Sequence, residues 1–164
     1  MLFFIAIAIL MAACNDDGRT EKPSKETLLK ANRQLVKQEK EEIERYIDRH
    51  GWEMDETGSG LRYFIFEQGN GEQAEAGKTA VLSYTTRLIT GELIYSSAET
   101  GLKSFVIGHG GVESGLEESV LLMQVRDSAR LIIPSHLAYG LVGDDNKITG
   151  RSTLIYEIKL VDLK

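Results

Sequence analysis

From Thr27 to His50 the apolar residues recur at spacings of three, four and seven: Leu28, Leu29, Leu35, Val36, Ile43, Tyr46 and Ile47. That period belongs to one face of an α-helix. Ser24 stands where it can cap the start, and Gly51 supplies a stop signal directly after His50. At 1.5 Å per residue the helix would run roughly 35 Å. Gln38 and Glu39 interrupt the seam, so the pattern predicts packing on the chain's own domain, with a second copy of the helix as the alternative partner.

Beyond Gly51 the period shortens to two, the signature of half-buried strands. "LRYFIFE" (61–67) lies between the turn-forming "TGSG" and "GNG". "TAVLSYTTRLI" (79–89) sets Leu82, Tyr84 and Leu88 on one face and Ser83, Thr85 and Arg87 on the other, and Thr90-Gly91 allows a hairpin into "ELIYSS". "SFVIG" (104–108), "SARLIIP" (128–134) and "STLIYEIKLVDL" (152–163) add strands, the last with Leu154, Tyr156, Ile158 and Leu160 on one face. Ser114 and Glu117 have capping-box spacing ahead of Val120, Leu121 and Met123, which predicts one short helix. The expected fold is therefore α+β: a curved antiparallel sheet around one short helix over residues 52–164, preceded by a long helix over 27–51.

The chain's start reads differently. "MLFFIAIAILMAA" is apolar, too short to span a bilayer comfortably, and ends in small residues before Cys14, the sole cysteine. Residues 1–13 read as a secretory signal. With the cysteine placed directly after it, the segment resembles a bacterial lipobox, which implies cleavage before Cys14 and lipidation of its thiol. Residues 14–26, polar and charged, form a flexible tether. Asp16 and Asp17 resemble the acidic pair of some surface-exported Bacteroidetes lipoproteins, and read equally well as a solvated tether. The expected location is the cell envelope, lipid-anchored at the outer membrane.

Of the 164 residues 42% are apolar, enough for one core, and the formal charge is −6 without a basic cluster, which argues against a nucleic-acid partner. His50, His109 and His136 stand apart from one another, so no metal site is expected. "PSH" sits in a turn without a nucleophile elbow, and the carboxylates fall mostly on solvated faces. No conventional acid–base or nucleophilic apparatus is visible.

Five motifs in order from Thr57 onward resemble the FK506-binding-protein (FKBP) type of peptidyl-prolyl cis-trans isomerase. They are "TGSGLRYFIFEQGNG", "GKTAVLSYTTRLITGELIYSS", "FVIGHGGVESGLEESVLLM", "IPSHLAYG" and "GDDNKITGRSTLIYEIKLVDL". The leader and the run "AYG…GDDNKI" look most like Bacteroidetes lipoprotein members, including those associated with gliding motility. The resemblance implies rotation about X-Pro bonds in an apolar cleft, with no cofactor, and clients among proline-containing exported proteins. Carried over by position, Tyr139 matches the tyrosine whose hydroxyl bonds a ligand carbonyl, and Tyr84 matches a pocket-wall tyrosine; these two are the expected catalytic residues. Phe105 matches a wall aromatic, Val112 the residue before a ligand-contacting amide, Ile148 an aliphatic flap residue, and Tyr156 replaces a phenylalanine at the pocket base. Several positions depart from the family pattern. Ile94-Tyr95 replaces Phe-Asp, Glu113 an apolar residue, Leu116 a floor tryptophan, Lys103 a wall phenylalanine, and Thr149-Gly150 a double proline. Two readings follow: an envelope isomerase of low or selective activity, or a non-catalytic binding module or chaperone of envelope machinery.

Overall fold

A computed structural model describes residues 23–164; the expected signal segment, Cys14 and most of the expected tether lie outside the described residues. Helix α1 covers Lys25–His50, capped by the Ser24 side chain accepting from the Thr27 amide and ended by Gly51 in the left-handed conformation. Strands follow as β1 (Asp55–Glu56), β2 (Arg62–Glu67), β3 (Thr79–Leu88) and β4 (Leu93–Ser96), then the single turn α2 (Ser97–Thr100). After β5 (Lys103–Val106) come α3 (Ser114–Leu121), β6 (Ser128–Ile133), a 3-10 turn at Ser135–Leu137, and β7 (Leu154–Leu163).

All the strand pairs are antiparallel, in the order β1-β2-β6-β7-β3-β4, and β5 pairs with the first half of β3 while β4 pairs with its second half. Register shifts interrupt β2/β6 after Ile65, β3/β4 after Thr86 and β3/β7 after Val81. Such bulges increase twist and curl a sheet. The curled sheet closes over Leu116 and Val120 of α3, and Leu61, Leu82, Leu131, Ile133, Leu154, Tyr156 and Leu160 complete a fully buried core.

The outer face of β6 and β7 is buried too. Ile132 and Ile155 are cross-strand partners there, and α1 covers them with Ile43, Tyr46 and Ile47. At about 1.5–3 kcal/mol for each side chain taken from water, these three residues suffice to dock the helix. Polar contacts extend the seam: buried Arg62 meets Glu44 at 2.5 Å and Glu56 at 2.8 Å.

Two sequence expectations need correction. The apolar seam of α1 is buried only over its second half; Leu28, Leu29, Leu35 and Val36 are exposed, and the contacts with the sheet are made by Ile43, Tyr46 and Ile47. The capping box at Ser114 and Glu117 does not form. Glu113 is the N-cap without a side-chain bond, Ser114 Oγ donates to the Leu137 carbonyl, and Glu117 accepts from the amides of Gly108 (2.6 Å) and Gly110 (3.2 Å). Gly108, Gly110 and Gly111 of that loop have positive φ, and the first two present their amides to the Glu117 carboxylate. The two-residue β1 and the turn α2 were too short to show a periodicity.

Candidate functional site

The site forms where β6 ends. Pro134 leads into the 3-10 turn, whose Ser135 carbonyl accepts from the amides of Ala138 (3.1 Å) and Gly140 (2.8 Å). Gly140 has φ +62°, and its carbonyl accepts from the Arg151 amide at 2.7 Å, which ties the following loop back to the turn. Gly115 in the first turn of α3 lets the helix approach this turn closely: a Cβ there would stand 2.5 Å from Ile133 Cγ2 and 3.1 Å from Leu137 Cβ. Helix and turn together hold Tyr139 half-buried at the rim of an open cleft of about 280 Å³.

Lys103, Gly111, Val112, Glu113, Ala138 and Tyr139 line this cleft. Of the residues expected at the site, Val112, Glu113 and Tyr139 therefore face the opening. Tyr84, Ile94, Phe105, Leu116, Ile148 and Tyr156 are buried in the core cluster against which Val112 and Tyr139 pack, and of these Tyr156 contacts Glu113 and Tyr84 faces Lys103 of the cleft lining. Tyr84 and Tyr156 stand with ring centroids 6.3 Å apart, and the Tyr84 hydroxyl bonds Thr100 Oγ1 at 2.8 Å. Tyr95 is half-buried and donates its hydroxyl to Asp144, whose other oxygen accepts from the amides of Asn146 and Ile148. A carboxylate is thus tethered to the Tyr95 side chain, and its charge acts on Tyr139. His136 is exposed and donates to the Ser59 carbonyl at 3.0 Å. Two other cavities, of about 370 and 290 Å³, flank α1 where it crosses the sheet and contain none of the expected site residues.

Residue-by-residue reading did not show that three departures are one feature. Glu113 is buried, the Tyr156 hydroxyl donates to its Oε1, and Lys103 Nζ lies 3.5 Å from its Oε2. The Lys103 ammonium also stands 5.2 Å from the Tyr84 ring centroid. Burial pushes the Glu113 carboxyl up, but the Lys103 charge and the hydroxyls of Tyr156 and Tyr139 outweigh it and leave the group below its ordinary value. Burial and the Glu113 charge hold the hydroxyls of Tyr139 and Tyr156 above the ordinary tyrosine value, so both stay protonated donors. The available signal was joint replacement: an acid, a base and a hydroxyl enter the same apolar pocket together.

The class defined by fold and site is an α+β domain whose curled antiparallel sheet wraps one short helix and opens a small cleft beside a turn tyrosine. Comparison gives the family. The model of the FKBP-type peptidyl-prolyl cis-trans isomerases matches residues 70–161, and the chain belongs to that family. It is 37% identical over 108 residues to the "Probable FKBP-type peptidyl-prolyl cis-trans isomerase FkpA" of Neisseria meningitidis, covering 65% of this chain and 39% of that protein. It is 36% identical over 92 residues to FK506-binding protein 2 of Dictyostelium discoideum, covering 56% of this chain and 69% of the relative. The crystal structure of FkpA from Escherichia coli superposes with a TM-score of 0.67 at 26% identity, covering 87% of this chain and 74% of that one. That of AtFKBP13 gives 0.65 at 28% identity, covering 69% of this chain and all of the other.

Proposed function

We propose that the chain is a peptidyl-prolyl cis-trans isomerase acting on exported proteins at the cell envelope, anchored there by lipid on Cys14. The observation that carries the reading is Tyr139, held protonated and half-buried at the rim of a cleft whose Glu113 and Lys103 rest against Tyr156 and Tyr84 of the core. The X-Pro bond turns slowly because conjugation sets a barrier of about 18–20 kcal/mol. The twisted amide is less conjugated and less polar than the planar one, so a site that removes water and holds the twisted form lowers the barrier by differential binding. The Tyr139 hydroxyl fixes a carbonyl of the segment, and no proton leaves or joins the amide. Exchange spectroscopy of X-Pro peptides with the full chain tests this: cross-peaks should build up faster than without protein. Rates equal to the uncatalysed ones for every X reject catalysis.

A second reading, a non-catalytic binding module of envelope machinery, draws support from the charged pair Lys103–Glu113 in an otherwise apolar pocket. Cells carrying Tyr139→Phe with Tyr84→Ala discriminate: function retained with both changes means that the pocket is not what the cell uses. The exposed stripe Leu28, Leu29, Leu35 and Val36 supports pairing with a second copy through residues 27–50. Light scattering before and after charging Leu29 and Val36 tests that assembly.

A further inference from the structure

Glu113 is 5% exposed, and its two oxygens are not equally provided for. Oε1 accepts from the Tyr156 hydroxyl, whereas Oε2 is buried with no donor among the described residues within hydrogen-bond distance, and the Tyr139 hydroxyl is the other group at the cleft that acts on this carboxylate. The nearest cation, Lys103 Nζ, stands 3.5 Å from Oε2, beyond the roughly 2.7–2.9 Å of a charge-assisted bond. The two partners also differ in freedom. The Glu113 side chain is 2% exposed and fixed at the N-cap of α3, while the Lys103 side chain is 23% exposed on a flexible stem at the cleft wall. The cleft thus contains a fixed anion and a movable cation.

We propose that Glu113 makes this cleft selective for prolyl bonds in cationic segments, with lysine or arginine beside the proline. The inference rests on the cleft being the peptide site. A neutral segment that enters deeply pushes Lys103 aside and leaves a buried carboxylate without a counter-charge, the costly outcome for any interior ion. A segment that brings its own cation exchanges one ion pair for another and supplies the donor that Oε2 lacks. With Lys103 displaced, the charges left near Tyr139 are those of Glu113 and Asp144, so an acidic segment is repelled.

The test titrates the full chain with peptides that differ only in the residue before proline: Leu, Gln, Glu, Lys or Arg. Heteronuclear NMR reads the dissociation constant, and exchange cross-peaks on the same samples read the rate. Arg and Lys peptides should bind about tenfold more tightly than Leu and Gln peptides, with Glu weakest. Glu113→Gln should bring the five within about twofold, and Lys103→Met, which removes the competing cation, should widen the preference. A Leu peptide binding as tightly as the Arg peptide overturns the proposal. So does a preference that survives Glu113→Gln, which would assign it to the general field of an acidic protein. Should Glu113→Gln fail to fold, the Lys103→Met arm decides alone: a preference that shrinks there is equally fatal. Charge-selective binding with uncatalysed rates throughout sinks the isomerase reading and leaves this one standing.

Discussion

Glu39→Ala should loosen the turn that carries Tyr139 without detaching α1. The Glu39 carboxylate reaches from the helix to the base of that turn, accepting from the Ser135 amide at 2.7 Å, Ser135 Oγ at 3.0 Å and Thr153 Oγ1 at 2.7 Å. Ser135 and Thr153 are buried beneath that carboxylate, so truncation removes the acceptor of an amide and two hydroxyls at once. A hydrogen bond to a charged group contributes roughly 1.5–3 kcal/mol, but these three share one acceptor and Glu39 is itself half-buried, so they do not sum. A loss of about 3 kcal/mol is the reasonable total. Ile43, Tyr46 and Ile47 remain packed on Ile132 and Ile155, which keeps the rest of the helix in place. Hydrogen exchange of the Ser135 amide reads the effect directly, because 3 kcal/mol corresponds to a protection loss of about a hundredfold. Amides of α1 from Ile43 to Ile47 should change far less. The Ser135 amide retaining its protection to within about threefold would refute the assignment of Glu39 as the tie between helix and turn.

Glu113 predicts a pH signature whose sign follows from its depressed value. The folded carboxyl lies below its ordinary value, so its stabilisation is present above about pH 4.3, the unfolded value, and is lost as pH falls through the folded one. Urea denaturation at intervals from pH 7 to pH 3 should show the protein weakening more steeply than Glu113→Gln; parallel curves contradict the pairing. Gly115→Ala places a methyl 2.5 Å from Ile133 Cγ2 and should cost about 1–3 kcal/mol, seen as a lowered Tm. An unchanged Tm would mean that α3 and the turn separate freely. Tyr156→Phe removes the donor to Oε1 of a buried carboxylate and should cost about 1–3 kcal/mol in urea; a change under about 0.5 kcal/mol would show that Lys103 alone compensates the charge.

The strands were legible because alternation survives wherever one face of a sheet meets the core. Leu154, Tyr156, Ile158 and Leu160 all point inward, as their spacing requires. Ile132 and Ile155 were less readable. They lie on the face that an antiparallel sheet ordinarily turns to water, and nothing local announces that a helix about a hundred residues away covers it. The same distance hides the limits of the α1 seam: Leu28 and Ile43 have the same chemistry, and only tertiary placement separates exposed from buried. The capping box failed for a related reason. Sequence spacing licenses Ser114 and Glu117 to cap each other, but the amides of Gly108 and Gly110 compete for the same carboxylate and win it.

Part of the candidate cleft was legible as positions, and its chemistry was not. Motif order put Tyr139, Val112 and Glu113 at one opening, where the structure brings them together. Taken singly, Lys103, Glu113 and Tyr156 read as losses from an apolar pocket. Together they balance charge and satisfy the Tyr156 hydroxyl, and what they leave open is the hydrogen bonding of Glu113 Oε2. A buried carboxylate alone would be prohibitive, an ammonium facing a tyrosine ring alone would lack a counter-ion, and a buried tyrosine hydroxyl alone would lack an acceptor. A polar pocket of this kind gives up part of the hydrophobic drive for a proline ring. On the proposed selectivity, occupancy depends on what replaces Lys103, so the departures alter which segment is bound more than whether a cleft exists.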